Sequence, residues 1–137
     1  MTIGLLGLAK LQVSNLHNNQ STLHRAEATF LANDILDSMR VLNNINHDQS
    51  AAYVVAPGGN SAAAGPSGVA IEDVSAWKDR IAQALPDGDG HVEFDADSRT
   101  ASIWIEWNDR RSGAPDCQEG CSCTETRPAC FKTEGGV

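Results

Sequence analysis

The four cysteines of the chain lie close together near its C-terminus and form its sharpest chemical pattern. They are Cys117, Cys121, Cys123 and Cys130. As a zinc site the pattern is weak, because structural zinc usually takes paired knuckles separated by a longer spacer, and no histidine is near in sequence. An even number of cysteines in a short, loop-rich stretch is typical of disulfides in an oxidising compartment. We therefore expect two disulfides and no metal.

The pairing of these cysteines has three possible forms. The form that joins Cys121 to Cys123 is disfavoured, because it closes a very tight ring. Of the other two, Cys117–Cys121 with Cys123–Cys130 has the shorter loops, and the residues between the first pair can form a turn. The sequence favours this pairing and leaves the third form open.

The other candidate ligands do not make a site. The segment Asp87-Gly88-Asp89-Gly90 is similar to the start of a calcium loop, but the further ligands and the closing glutamate are missing. It predicts a turn instead. His17 and His24 are seven residues apart on a helix, about two turns, so they cannot bind one ion. We interpret them as polar face residues; the remaining histidines are His47 and His91.

Charge and motifs exclude several classes of function. No nucleophile elbow, phosphate loop, dinucleotide fingerprint or zinc-protease motif occurs, so the sequence predicts no enzyme, no cofactor and no small-molecule substrate. The net charge of −8 lies entirely after residue 46, because this part of the chain contains seven basic and fifteen acidic residues. This balance argues against binding to nucleic acid and against adhesion of this region to anionic lipid.

The element that must position everything else is one long helix, predicted from Ile3 to Asn46. No proline interrupts it, and at about 1.5 Å per residue it spans about 65 Å. Its apolar residues form two stripes with helical spacing. The first contains Leu5, Leu8, Gln12, Leu16, Leu23, Ala26 and Phe30; the second contains Leu31, Ile35, Met39 and Leu42. We expect the second stripe to pack on a domain. We expect partner helices to contact Leu5, Leu8, Leu11, Leu16 and Leu23.

The start of this helix is apolar on every side, and Lys10 is its one charged residue. Such a segment must lie in lipid or among other helices. It is too short to cross a bilayer, which takes about 20 residues, and no basic segment or cleavage site precedes it. We expect that the chain is cut from a longer one whose missing residues continue the helix. The alternative is a helix that begins here and buries its end in a dimer.

Residues 47–137 are predicted to form a globular head. A glycine- and proline-rich connection over 47–70 is followed by a helix over Glu72–Leu85, with Glu72 and Asp73 in its first turn and Pro86 after its end. A hairpin follows, and a third strand near residues 129–133 is expected because two strands alone are marginally stable. Trp104 lies on the outer strand face and needs cover from a loop or a partner. The predicted core contains Ile35, Met39, Trp77, Ile81, Ile103, Ile105 and Trp107.

Three segments of the long helix resemble the PilV-like minor pilins of type IV pili. They are Gly4–Gln12, Asn18–Ser21 and Arg25–Arg40, which together cover about the first third of the chain. The resemblance implies a type IV pilin-like α+β fold, in which a long N-terminal helix packs on a small antiparallel sheet with a cysteine-rich C-terminal loop. The leader peptide, the glutamate and the first part of the helix that are typical of the family are absent from this sequence.

The resemblance implies a non-catalytic structural role. Such subunits join other minor pilins and the major pilin, prime pilus assembly and sit at the tip, and so support twitching motility and adhesion. The missing helix segment would anchor the subunit in the inner membrane with its head in the periplasm until it enters the extracellular fimbrium. Two alternatives remain: a pseudopilin of a type II secretion tip complex, and a small metal-binding module built on the four cysteines.

Overall fold

The computed structural model describes residues 2–45, 50–56, 58, 68–109, 116–117, 121, 123 and 126–137, with the side chains of 2–21 and 116–117 left out. Within these residues, two helices cover one face of a four-stranded sheet, in agreement with the predicted α+β class. The elements are α1 (Thr2–Ile45), a 3₁₀ helix (Ser50–Tyr53), α2 (Gly68–Ala84), β1 (Asp89–Asp95), β2 (Thr100–Trp107), β3 (Asp116–Cys117) and β4 (Ala129–Gly136).

Helix α1 ends within one residue of its predicted end and packs on β2 and β4 through its second half. The four residues of the second apolar stripe are all buried, which confirms the predicted packing face. Each such side chain contributes about 1.5–3 kcal/mol when it leaves water. This stripe therefore holds the long helix to the sheet.

Helix α2 begins at Gly68, four residues earlier than predicted. The reason is Ala70, which is fully buried and extends the apolar stripe of Val74, Trp77 and Ile81 by one turn. Because the helix starts earlier, the prediction that Glu72 and Asp73 occupy its first turn is wrong. The end agrees with the sequence, since the helix stops at Ala84 before Pro86.

Trp77 connects three elements at the centre of the molecule. Its indole Nε1 donates a hydrogen bond of 2.8 Å to the carbonyl oxygen of Leu31 on α1. Its ring lies so close to Gly90 of β1 that a Cβ atom at that position would be 2.5 Å from Trp77 Cη2. A glycine is therefore required at residue 90, and the indole fixes how α1, α2 and β1 meet.

The described strands follow the order β1-β2-β4-β3. The hairpin pairs as the alternation predicts, with Val92 opposite Ile103. Asp95 stabilises the turn, since its carboxylate accepts hydrogen bonds from the Asp97 N–H and the Ser98 hydroxyl, both at 2.9 Å. The predicted third strand is confirmed as β4, which pairs antiparallel with β2 and extends to Gly136. The two-residue strand β3, parallel to β4, was not predicted.

The predicted core is confirmed. All seven of its residues have a side chain that is at most 1% exposed. The described part of the connection between α1 and α2 adds to this core, because Tyr53 is buried and Val55 forms a two-hydrogen-bond bridge with Val92. This segment thus lies against the free edge of β1.

Candidate functional site

The face of α1 that points away from the core carries large apolar side chains in water. Leu23 is 59% exposed, Phe30 is 64% exposed and Val41 is 58% exposed. Their spacings of seven and eleven residues are close to two and three helical turns, so they lie on one line along the helix. We call Leu23, Phe30 and Val41 the exposed line. Their alignment makes this face a candidate interaction surface.

Among the predicted partner-binding residues, Leu23 is the one whose side chain the structure describes, and it is exposed. Leu5, Leu8, Leu11 and Leu16 belong to α1 by their backbone, but their side chains lie outside the described residues. Leu5 and Leu16 precede Leu23 by eighteen and seven residues, or five and about two turns, so the sequence continues the exposed line towards the N-terminus. Their contact with partner helices stays a prediction.

Charged residues between Phe30 and Val41 connect α1 to the rest of the head. Asp34 forms an ion pair with Arg80 of α2, with 2.6 Å between Asp34 Oδ2 and a guanidinium nitrogen of Arg80. Arg40 pairs with Asp37 at 3.0 Å and also donates from Nε to the carbonyl oxygen of Gly136 at the end of β4. Such partly exposed pairs contribute about 0–1 kcal/mol each. They add to the buried stripe, which determines the rotation of α1 about its axis and so where the exposed line points.

The cysteines are oxidised in the described part of the chain, but the favoured pairing is wrong. Cys121 is bonded to Cys130, with Cα atoms 6.2 Å apart, and Cys123 is also disulfide-bonded. The side chain of Cys117 lies outside the described residues. The prediction from loop lengths failed because Cys130 lies in β4, which pairs with β2 and with β3, the strand that ends four residues before Cys121. Tertiary structure, rather than local loop closure, selects the partner.

On the outer sheet face, Trp104 contacts neighbours on both adjacent strands; its cover by a loop or a partner stays a prediction, because most of the loop before β4 lies outside the described residues. The ring of His91 on β1 stacks on the indole, with 4.5 Å between the centroids, and Lys132 Nζ on β4 lies 5.0 Å from its centre. Both residues are directly opposite Trp104 in the strand register. Burial against the indole lowers the pKa of His91, because the imidazolium would lose water.

The turn between α2 and β1 is a structural junction, as predicted, and its acidic residues have partners of their own. Asp89 accepts hydrogen bonds from Lys78 at 3.1 Å and from the Gly58 N–H at 2.8 Å. Burial alone would raise the pKa of Asp89, but these hydrogen bonds lower it below its ordinary value. Nearby, burial raises the pKa of Glu106, and Arg127 opposes this effect. At neutral pH the lowered pKa of Asp89 contributes stability to the head, whereas the burial of Glu106 opposes it.

One polar pair was not found from the sequence. The hydroxyl of the buried Tyr53 donates to Asp73 Oδ2 at 2.6 Å. Burial and the carboxylate together raise the pKa of the Tyr53 phenol above its ordinary value. The pair lies beside Val41 and Val69 in a surface groove. The sequence did not indicate Tyr53, because it lies in a connection with few helical or strand signals. Val41 could have been predicted by extending the first apolar stripe of α1.

The described residues hold no group of three or more histidine, cysteine or acidic side chains that could bind a metal ion. His24 is half-buried, and its Nδ1 has no hydrogen-bond partner among these residues. His17 and His47 lie outside the described side chains.

Comparison with protein-family models, curated proteins and solved structures found no match. Among the helices in the described part of the chain, none has a stretch long and apolar enough to cross a membrane.

Proposed function

We propose that the chain is a minor pilin of the type IV pilus, a structural subunit of a minor-pilin complex that primes assembly and sits at the pilus tip. In this role it supports twitching motility and adhesion and carries out no catalysis. The resemblance of three segments of α1 to PilV-like minor pilins supports this proposal, as does a long N-terminal helix packed on a small antiparallel sheet. On this proposal a membrane-anchored precursor presents its head to the periplasm.

The observation that carries the proposal is the division of α1 into two apolar faces. One face is buried by the head, and the other carries the exposed line. A helix that served only its own domain would not need large apolar side chains aligned on its outer face, because exposed leucine and phenylalanine side chains gain nothing from water. A second apolar face is expected if α1 packs among the helices of other subunits.

The oxidised cysteines agree with a head that folds outside the cytoplasm. They favour the minor-pilin proposal over the metal-binding alternative, because a sulfur in the Cys121–Cys130 bond is not available as a thiolate ligand. The acidic head is suited to selecting protein partners by charge rather than to binding nucleic acid.

The proposal is tested by removing the gene and examining the pili. Deletion is expected to reduce the number of surface pili and the twitching zone, and expression of the full-length protein should restore both. Mass spectrometry of sheared pili should detect the chain at a small fraction of the major pilin. Normal piliation after deletion, together with recovery of the chain in a type II secretion complex, would overturn the proposal and favour the pseudopilin.

A further inference from the structure

A groove of about 320 Å³ lies between the end of α1, the 3₁₀ helix and the start of α2. Its apolar lining includes three exposed side chains: Val41, Ile45, which is 69% exposed, and Val69, which is 53% exposed. The volume is at the lower end of the range of ligand pockets, about 300–1,000 Å³, and suits a few apolar side chains. Such a lining gains free energy when another apolar surface covers it.

The charge of the groove restricts what can cover it. Within the part of the chain that the structure describes, the lining contains Asp34, Asp37 and Asp73 and no basic residue. Asp34 is paired with Arg80 and Asp37 with Arg40, whereas the one partner of Asp73 among the described residues is the neutral Tyr53 hydroxyl. Asp73 is half-buried, so a cation that reached it would interact in a partly desolvated setting, where a charge pair is stronger than on an open surface.

The groove is continuous with the exposed line. Val41 belongs to both, and it lies eighteen residues, five helical turns or about 27 Å, from Leu23 on the same face of α1. A partner helix that packs along the exposed line therefore reaches the groove at the C-terminal end of α1. A second copy of the chain is a poor occupant, because the chain has a net charge of −8 and would bring like charges together.

We propose that this groove binds an amphipathic helix of a different protein, which inserts apolar side chains between Val41 and Val69 and pairs a lysine or arginine with Asp73. This deepens and rests on the proposed function, since it specifies the kind of subunit that α1 accepts. The apolar contacts supply affinity, and the single cation selects the partner and fixes its register.

The test uses the purified chain and synthetic helical peptides of about 15 residues that share one leucine face and differ in one central residue: lysine, glutamine or glutamate. Fluorescence anisotropy measures Kd, and the amide resonances of Val41, Ile45 and Val69 report the site. We expect the lysine peptide to bind about tenfold more tightly than the glutamine peptide, and the glutamate peptide to bind least.

Asp73→Asn keeps an acceptor for the Tyr53 hydroxyl and removes only the charge. It should abolish the difference between the lysine and glutamine peptides, whereas Asp79→Asn, an exposed site on the same helix outside the groove, should preserve it. Equal binding of all three peptides, or a difference that persists in Asp73→Asn, would overturn the proposal. So would concentration-dependent dimerisation that Val41→Asp abolishes, because a second copy would then occupy the groove. The binding measurements do not depend on pili. The proposed binding at the groove and the proposed minor-pilin function are therefore tested separately.

Discussion

Ile105 and its neighbours on β2 show what single residues contribute to the head. Ile103, Ile105 and Trp107 point into the core, and Trp104 between them points to the outer face. This alternation was predictable, because a strand places successive side chains on opposite faces. The contacts of Trp104 were not, since they depend on which residues of β1 and β4 lie opposite it. The alternation of apolar residues predicts which face of the sheet a side chain lies on, but the strand register determines which side chains it contacts.

Ile105→Ala should lower the free energy of unfolding by about 2–5 kcal/mol, because it leaves a cavity beneath α1. Urea denaturation measures the change. The matched control is Leu23→Ala, which removes a leucine exposed to water and should change stability by less than about 0.5 kcal/mol. Equal effects of the two substitutions would mean that the face of β2 is wrongly assigned.

His91 should make the head less stable in mild acid. Its pKa is lowered in the folded chain, so the unfolded chain binds the proton first. The contribution of neutral His91 is complete above the unfolded pKa of about 6.5 and is lost as pH falls from there through the folded pKa. Thermal unfolding from pH 7.5 to 5 should therefore show a smaller loss for His91→Gln than for the wild type. Identical pH profiles would refute this, and comparing the two proteins cancels the titration of Asp89 and Glu106.

At the scale of elements, the long helix, the hairpin and the third strand follow from period and composition. The start of α2 and the disulfide pairing do not. Helix α2 gains its first turn from Ala70, a small residue whose burial depends on where α1 lies. The partner of Cys121 depends on β4 as a whole. Both are decided by contacts between elements that are distant in sequence, which local rules cannot supply.

The Cys121–Cys130 bond should stabilise the head by about 2–5 kcal/mol. Replacing both residues with serine is expected to lower the midpoint of urea unfolding by the corresponding amount, because β4 loses its tie to the segment before it. Before reduction, no thiol should react with a maleimide reagent. Rapid labelling of the unreduced protein at Cys130 would contradict the observed pairing.

The whole molecule is organised around the two apolar faces of α1. The head buries one face, Asp34 and Arg40 connect the helix to α2 and β4, and under the proposed function the exposed line contacts other subunits. The sequence predicted both stripes and therefore most of the candidate surface. It did not predict the groove at the end of α1, because Tyr53 and Val69 reach it from separate elements.

The most direct test of this account places a charge on the outer face of α1 in the full-length protein. Phe30→Asp should leave the fold intact, since Phe30 is 64% exposed, and Leu8→Asp tests the predicted continuation of the surface. Buried among partner helices, either carboxylate would cost roughly several kcal/mol. Cells with either variant should therefore assemble few pili and lose twitching motility, while cells with Gln83→Asp, an exposed control on α2, assemble normal pili. Normal pili in both α1 variants would contradict the claim that this face is the assembly surface.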